Sequence, residues 1–400
     1  MKRILFLTFY FRPDLCAGSF RNSPLLDELS RQTKDEDILI DVYTTQPNRY
    51  ASYSKKAAAS EKFDNVKVER IDIPAHKSGI IDQALSFKTY FFETLRRTRQ
   101  TEYDLVYGSS SRFFTSYLAF RIARRKNTPL YVDVRDIFSE TIFHISKNPA
   151  IKYLFTPFVK HLEKRVYSYA SHINLISEGF KESFNRFKNA KVSYYTHGID
   201  PIFLEKPEQV LERGPSSKKK ILYAGNVGEG QGLHHAIPEA AKALEENYEF
   251  EIIGDGGALH KLKNAIAEIQ VTNVNIMDPV RRDGLLTKYH EADILLIHLN
   301  DHETFKKVLP SKVFELTVTG KPILAGVSGF TELFLQEHVP QAVVFEPCNP
   351  NSLIKAIHKI ASEGSKSFSE IEKRSFIEKF SRNQVNQKIV KTIKNNIKKS

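Results

Sequence analysis

Segments of β-strand length alternate with segments of helical periodicity along almost the whole chain, and this alternation is found in each half of the sequence. The first series starts with the apolar segment 2–10 and runs to about residue 195, and the second starts at residues 221–224. Strands, loops and helices in regular succession form parallel sheets that are covered by helices on both faces. The sequence therefore predicts an α/β chain built from two doubly wound domains.

The boundary between the two series is marked by a change in composition. Residues 201–220 are rich in Pro, Glu, Gly, Ser and Lys, which is typical of a linker. We therefore assign residues 1–200 to an N-terminal domain and residues 221–379 to a C-terminal domain, each long enough to bury its own core. The basic stretch at about 380–400 has a helical pattern, and we expect it to pack back on the first domain.

The sequence also indicates a compartment. Cys16 and Cys348 show no metal-ligand spacing and do not suggest a disulfide framework, which favours a reducing environment. The apolar run that starts the chain is too short for a signal peptide, and no window approaches the roughly 20 apolar residues of a membrane span. We expect a cytoplasmic or peripheral membrane protein.

The net charge of +12 is concentrated in the first half, where 32 Lys and Arg stand against 22 Asp and Glu. A basic domain of this kind implies an anionic partner. The segments 84–100 and 151–170 mix aromatic and basic residues, and each is either a core helix or a helix that rests on an anionic membrane. No clustered recognition motif for nucleic acid is present, so we expect no nucleic-acid partner.

A glycine-rich loop follows the first strand of the second domain. Gly225, Gly228, Gly230 and Gly232 lie between that strand and a predicted helix, where backbone amides can contact a phosphate or a sugar. The glycine spacing matches neither the Walker sequence nor the dinucleotide fingerprint. The loop therefore predicts an anion or sugar contact without naming the ligand.

The stretch 309–322, LPSKVFELTVTGKP, has the pattern of a short helix with a binding site on its first turn. Pro310 suits a helix entry, and Ser311 is expected to cap the unpaired amides. Lys312 adds positive charge for a phosphate, and Glu315 could accept two ribose hydroxyls one turn later. The alternative is a capped, half-buried helix without a ligand.

The first domain contains two candidate positions for ligand binding. Gly18 is predicted to lie in a loop before a helix that begins at about residue 22, where a ligand could approach the backbone. The strand at 130–134 ends in a charged segment that contains Arg135 and Asp136. Charged residues at the carboxyl end of a strand are site candidates, although a surface salt-bridge cluster explains them equally well.

Taken together, these motifs resemble the GT-B glycosyltransferases of family four, which are retaining nucleotide-sugar enzymes. The resemblance covers most of the chain and lies in the order of PDLCAGSFR, VRDIFSE, HGID, YAGNVGEGQGL, IIGDGG, EADILLIHL and LPSKVFELTVTGKPILA. Within that family, the RD segment and the glycine loop look like the branch that builds bacterial O-antigen and capsule, including transferases of the N-acetyl-fucosaminyltransferase type.

The resemblance implies a GT-B fold of two Rossmann-like domains that face a cleft. It implies transfer of a sugar, such as an N-acetylated deoxyhexosamine, from a UDP-linked donor with retention and without a metal. Asp136, Arg135 and His144 are the implied catalytic residues. The implied donor-binding residues are Gly18, Asn226, Gly228, Gln231, Gly254, Pro279, Val280, Pro310, Ser311, Lys312 and Glu315.

The sequence departs from the family pattern at three positions. Asn226 and Gln231 stand where many relatives carry Arg and Lys, and Lys307 stands at the first position of the paired-glutamate motif. The cations that remain for the diphosphate are Lys312, Lys306 and Lys307.

The resemblance also implies an undecaprenyl-diphosphate-linked saccharide as acceptor, reached at the anionic inner face of a bacterial plasma membrane. Two other functions stay open at this point. A GT-B epimerase would act on the nucleotide sugar itself, and a non-catalytic protein would only bind it.

Overall fold

The computed structural model describes residues 1–14, 16–48, 57–74, 80–145, 149, 151–205, 207 and 218–398. The chain divides into two compact units. The first unit comprises residues 1–196 and 383–400, and the second comprises residues 197–382. Most of the predicted linker at 201–220, namely residues 206 and 208–217, lies outside the described residues.

The first unit contains an eight-stranded sheet with the order β3-β4-β2-β1-β5-β6-β7-β8. Its neighbouring strands are parallel, except for the antiparallel pair β3 and β4. The strands are β1 (Lys2–Leu7), β2 (Ile38–Thr45), β3 (Ser60–Phe63), β4 (Val66–Ile71), β5 (Leu105–Ser109), β6 (Leu130–Val134), β7 (His172–Leu175) and β8 (Lys191–Tyr194).

The second unit contains a six-stranded parallel sheet with the order β11-β10-β9-β12-β13-β14. The order reverses between β9 and β12, which is the place where ligands bind in open sheets of this type. The strands are β9 (Lys219–Ala224), β10 (Tyr248–Ile253), β11 (Val274–Met277), β12 (Ile294–His298), β13 (Ile323–Gly326) and β14 (Ala342–Phe345).

The helices cover both sheets. In the first part of the chain they are α1 (Ala17–Thr33), α2 (Ile80–Arg97), α3 (Phe113–Lys126), α4 (Phe138–Ile145), α5 (Thr156–Tyr169) and α6 (Lys181–Phe184), with a π-helix (Ile151–Phe155) before α5. Those that follow are α7 (Leu233–Ala243), α8 (Leu259–Glu268), α9 (Arg282–Glu291), α10 (Lys312–Thr317), α11 (Phe330–His338), α12 (Pro350–Glu363), α13 (Glu370–Phe380) and α14 (Arg382–Asn395). Short 3-10 helices are found at Glu178–Phe180, Pro201–Leu204 and Phe305–Lys307.

Helix α14 contributes to the core of the first unit. Val385, Ile389, Val390 and Ile393 are buried against a cluster that includes β1, β2 and α1. The spacing of these residues places them on one face of the helix. The basic residues that continue the chain are therefore anchored by an apolar stripe.

Helix α1 begins at Ala17, so the predicted start at about residue 22 is wrong. Gly18 accordingly lies in the first turn of a helix and not in a loop. A β-carbon at Gly18 would lie 3.2 Å from the Tyr10 side chain and 3.3 Å from Ser111 Cβ. Close packing, rather than a special backbone angle, accounts for a glycine at this position.

Candidate functional site

Two glycine turns pack together at the carboxyl edge of the second sheet. Gly225 follows β9 with φ +150°, and Gly254 follows β10 with φ +151°. A β-carbon on Gly254 would overlap the carbonyl oxygen of Gly225. The amide of Val227 donates to the carbonyl of Asp255 at 2.9 Å. The turns thus lie backbone against backbone, and a side chain at Gly254 would require the turn at Gly225 to move.

The predicted donor-binding residues of the glycine loop bind one another. The Asn226 side-chain amide donates to Oε1 of Gln231 at 2.6 Å, and the Gly228 amide donates to the same oxygen at 3.2 Å. The Tyr223 hydroxyl donates to the Asn226 carbonyl at 2.7 Å. These contacts fix the loop, so Asn226 and Gln231 shape the site through neutral hydrogen bonds and supply no charge.

The end of β12 supports the glycine loop from beneath. The Nδ1 atom of His298 donates to the Gln231 carbonyl, while its Nε2 atom accepts from the Cys348 amide at 3.0 Å. Burial lowers the pKa of His298 to about 4, so the ring is neutral and its tautomer is set by these two partners. Asn300 donates to the Glu229 carbonyl at 2.7 Å. Neither residue was identified from the sequence.

Lys312 lies over the first glycine turn. A β-carbon at Gly225 would lie 2.6 Å from the Nζ atom of Lys312, so the ammonium group rests on the backbone that follows β9. Burial lowers the pKa of Lys312, nearby Glu315 opposes this shift and Arg282 adds to it. An anion bound beside this group would favour the charged form of the lysine.

The first turn of α10 differs from the prediction. Ser311 has a helical backbone, with φ −58° and ψ −27°, and makes no side-chain capping hydrogen bond, so the predicted cap is wrong. The amides of Val313 and Phe314 donate to the carbonyls of Pro310 and Ser311 at 3.1 Å. A helical Ser311 cannot turn its hydroxyl back to these amides, and the tight turn from Pro310 satisfies them instead.

Glu315 is buried, with 8% of its surface exposed, and its carboxylate has two neighbours. The Tyr289 hydroxyl donates to its Oε2 atom at 3.4 Å, and the Arg282 Nη2 atom lies 3.9 Å from its Oε1 atom. Burial and the Glu315 carboxylate raise the pKa of Tyr289 well above its ordinary value, so the phenol keeps its proton. The carboxylate is therefore held from two sides.

Arg282 also connects Glu315 with the beginning of the second unit. It forms an ion pair with Asp200, which is also bound by the Arg382 guanidinium at 2.6 Å. Burial lowers the pKa of Arg282 to about 10, and Glu315 opposes this shift. Asp200 follows Ile199, whose amide and carbonyl pair with Phe380 and Arg382. This ion-pair network is formed by residues that are far apart in the sequence.

The remaining predicted donor-binding residues are more exposed. Pro279 and Val280 follow β11 at the same edge of the sheet, and the side chain of Val280 is 37% exposed. Lys306 binds Glu303 at 2.5 Å on the surface, and Lys307 ends the short 3-10 helix. Among the three lysines considered for a diphosphate, Lys312 alone lies against the glycine turn.

In the first unit, the charged segment after β6 separates into two groups. Arg21 donates two hydrogen bonds to Asp133 at 2.7 and 2.8 Å, and both side chains are buried. Arg21 also donates to the carbonyls of Tyr195 and Thr196. Asp133 is thus occupied by a structural ion pair, which ties α1 to the end of the first unit.

Asp136 forms the second group with Arg135. Burial raises the pKa of Asp136 to about 6, while Arg135 lowers it and Glu163 raises it. The Oδ1 atom of Asp136 is buried and has no hydrogen-bond partner among the described atoms. A raised pKa and an unpartnered carboxylate oxygen make Asp136 a candidate for contact with a substrate. The side chain of His144 lies outside the described residues.

No helix in the described part of the chain is long and apolar enough to span a bilayer.

Comparison with known proteins gives two kinds of similarity. Residues 207–382 match the model of the family described as "Glycosyl transferases group 1". The putative colanic acid biosynthesis glycosyl transferase WcaI of Escherichia coli K12 is 31% identical over 147 residues. This stretch covers 36% of the present chain and 36% of that protein, so the chain spans about a third of the length of its curated relative.

Solved structures match over nearly the whole length. The sucrose-phosphate synthase of Thermosynechococcus elongatus gives a TM-score of 0.77 at 11% identity and covers 99% of each chain. HepE of Anabaena in complex with UDP gives a TM-score of 0.67 at 15% identity and covers 99% of this chain and 100% of that one. The chain therefore has the two-domain GT-B fold, and its residues 207–382 are similar to the glycosyl transferases group 1 family.

Proposed function

We propose that this protein is a retaining glycosyltransferase that moves a sugar from a UDP-linked donor to a lipid-linked saccharide during synthesis of a surface polysaccharide. The observation that carries the proposal is the position of Lys312 over Gly225, three residues before Glu315. A cation and a buried carboxylate at the switch point of a parallel sheet match the diphosphate and the ribose of one nucleotide.

The donor is bound by the second unit. Lys312, which lies over the glycine turn after β9, binds the diphosphate, and Glu315 accepts the two ribose hydroxyls. Backbone groups near Pro279 and Val280 bind the base. Support for uridine comes from HepE, which was solved with UDP, and the donor sugar remains an N-acetylated deoxyhexosamine in this proposal.

The reaction replaces one bond at the anomeric carbon with another. The bond to the diphosphate oxygen breaks, a bond to the acceptor oxygen forms on the same face, and the leaving phosphate takes the acceptor proton. Lys312 stabilises the negative charge that develops on the leaving group. Asp136 and Arg135 of the first unit orient the acceptor hydroxyl, so that positioning supplies much of the rate enhancement.

Colanic acid is named in the description of the WcaI protein, and this supports a polysaccharide product for the present chain. A lipid-linked acceptor would bring the enzyme to the cytoplasmic face of a membrane. The basic first half of the chain, with 32 Lys and Arg against 22 Asp and Glu, suits an anionic surface.

Thermal unfolding with a panel of nucleoside diphosphates tests the donor site. A ligand that binds only the folded state stabilises it by about 2.7 kcal/mol at 100 times its Kd. We expect UDP to raise the midpoint more than GDP, ADP or CDP, and we expect Glu315→Ala to abolish the UDP shift. Glu337→Ala, at an exposed carboxylate on α11, is the control. An equal shift in the Glu315→Ala protein would remove Glu315 from the site.

A further inference from the structure

Exposed apolar side chains of the first unit concentrate at one place. Of the eleven exposed large apolar side chains among the described residues, four lie within residues 153–158. They are Tyr153, Leu154, Phe155 and Phe158, and we call them the apolar tip. Leu154 is 76% exposed and Phe158 is 54% exposed. Single exposed apolar residues are ordinary on soluble proteins, but a contiguous group marks an interaction surface.

The apolar tip is adjacent to a surface of one charge. Helix α3 packs against α5, and the exposed cations of the two helices form what we call the basic face. The guanidinium groups of Arg124 on α3 and Arg165 on α5 lie 6.0 and 5.7 Å from the ring of Phe120, which joins the two helices. The basic face consists of Arg121, Arg124, Arg125, Lys160, Lys164 and Arg165.

Acidic residues are nearly absent from this part of the sequence. Residues 105–132 and 141–177 contain one acid, Glu163. That carboxylate is buried and accepts hydrogen bonds from the Ser139 hydroxyl and amide at 2.6 and 3.1 Å. The basic face therefore keeps its net positive charge, since the one acid of these segments is buried and bound by Ser139.

Helix α2, the other segment with a mixture of aromatic and basic residues, has a different character. Phe87 and Phe91 pack against the rings of Phe114 and Tyr117, which belong to α3. The cations Arg96 and Arg97 pair with Glu93. Most of the described part of helix α2 is thus packed, with one exposed aromatic side chain, Phe92, and with Arg96 and Arg97 paired to Glu93. The group of exposed apolar side chains lies at the start of α5, next to the exposed cations of α3 and α5.

We propose that the apolar tip and the basic face dock the first unit on an anionic phospholipid bilayer. Aromatic and leucine side chains partition into the interface between headgroups and acyl chains, and Lys and Arg attract the anionic headgroups. Helix α5 leads into β7 of a parallel sheet, so its first turn lies at the carboxyl edge of that sheet. Arg135 and Asp136 follow β6 at the same edge.

This placement relates the docking surface to the proposed transfer of sugar. A lipid-linked acceptor would present its saccharide next to the bilayer, on the same edge of the first sheet as Asp136. The presentation of an acceptor rests on the proposed function, whereas membrane binding depends only on the exposed apolar and basic residues. Membrane binding and sugar transfer can therefore fail independently.

Flotation of the purified full chain with lipid vesicles tests the docking. We expect the protein to float with vesicles of mixed phosphatidylcholine and phosphatidylglycerol and to remain in solution with phosphatidylcholine alone. Binding should weaken in about 1 M salt, where the Debye length falls to about 3 Å. Lack of flotation with anionic vesicles at low salt would overturn the proposal.

Two sets of variants separate the two components. Replacement of Lys160, Lys164 and Arg165 by Gln should weaken binding on the order of 100-fold, because each cation near an anionic surface is worth roughly fivefold. Leu154→Ser with Phe158→Ser should weaken binding even at low salt. These side chains are exposed, so folding should be retained, and far-UV circular dichroism checks this.

Matched controls come from the second unit. Leu333→Ser with Ile371→Ser removes side chains that are 62% and 82% exposed. Replacement of Lys355, Lys359 and Lys366 by Gln removes three exposed cations. If these controls lose binding as much as the tip and face variants, the proposed surface is wrong. If sedimentation shows that the apolar tip joins two copies of the chain and vesicles do not bind, a protein interface replaces the membrane.

Discussion

The hydroxyl of Tyr289 lies 3.4 Å from the Oε2 atom of Glu315, and both residues are buried. Tyr289 belongs to α9 and Glu315 to α10, so the contact joins two helices of the second unit. A neutral donor that keeps its proton fixes the direction of the carboxylate without neutralising it. Glu315 is thereby presented as an acceptor for neighbouring hydroxyl groups, as ribose recognition requires.

Removal of the Tyr289 hydroxyl should therefore weaken recognition of the ribose. We expect Tyr289→Phe to raise the Kd of UDP about twofold to tenfold, since a hydrogen bond of ordinary strength contributes roughly 0.5–1.5 kcal/mol. The preference for UDP over 2′-deoxy-UDP should decrease in parallel. Tyr90→Phe, which removes a buried phenol of the first unit, should leave this preference unchanged. Calorimetric titration measures both constants, and an unchanged preference in Tyr289→Phe would contradict this role.

We expect the positive charge of Arg282 to stabilise the Glu315 carboxylate. Arg282→Gln should weaken UDP binding and lower the unfolding midpoint, because Asp200 and Glu315 both lose a cationic neighbour. Arg282→Lys should restore part of the loss. Arg281→Gln is the control, because the Arg281 side chain is 85% exposed and pairs only weakly with Asp283. Equal binding by the Arg282→Gln and Arg281→Gln proteins would exclude a role for Arg282 in the site.

Lys312 should make UDP binding dependent on pH. Burial lowers the pKa of this lysine in the free protein, so a rising fraction is neutral as the pH increases. A bound diphosphate favours the charged form, so binding takes up a proton and affinity decreases as the pH rises through the lowered pKa. Lys312→Arg should bind UDP with less dependence on pH, because arginine stays charged. Titrations at several pH values between 7 and about 10 compare the two proteins, and parallel curves would exclude Lys312 as the group that titrates.

Asp136 should couple stability to pH in the opposite sense from an ion-paired carboxylate. Burial raises the pKa of Asp136 from 3.8 to about 6 in the folded protein. The ionised carboxylate therefore lowers the free energy of unfolding above pH 6, and this penalty disappears as the pH falls below the pKa of the unfolded chain. Asp136→Asn should raise the unfolding free energy at pH 8 by up to about 3 kcal/mol, and by less at pH 5. It should also lower the rate of sugar transfer at least tenfold. Asp27→Asn, at a surface position 49% exposed, should do neither. Loss of stability at pH 8 in Asp136→Asn would contradict the assigned burial.

The alternation of strands and helices was sufficient to predict both sheets, because buried parallel strands leave an apolar signal that is local in the sequence. In the first unit, strand β3 and the helices α3, α4 and α6 were not predicted. The hairpin of β3 and β4 has a short, exposed first strand, SEKF, with little apolar character. Helix α3 contains Phe113, Phe114, Tyr117 and Phe120, whose aromatic side chains also suit strands, so its helical spacing was not recognised.

The candidate site was predictable only in part. Lys312 and Glu315 were found because they share one short helix with a recognisable start and stop. Tyr289, Arg282 and Asp200 were not. Tyr289 and Arg282 reach Glu315, and Asp200 reaches Arg282, from segments 26 or more residues apart, which leaves no periodic pattern. His298 was missed for the same reason, since an isolated histidine at the end of an apolar strand gives no indication of its two backbone partners.

In the proposed reaction, the sugar leaves the uridine nucleotide only when a suitable acceptor is present. The most direct measurement follows UDP release from a panel of UDP-sugars, with and without a bacterial lipid extract that contains lipid-linked saccharides. We expect release from one donor in the presence of extract, loss of release in Lys312→Gln, and little release without extract. Conversion of a UDP-sugar into its epimer, or release that is independent of the extract, would show that the protein is not a transferase of this kind.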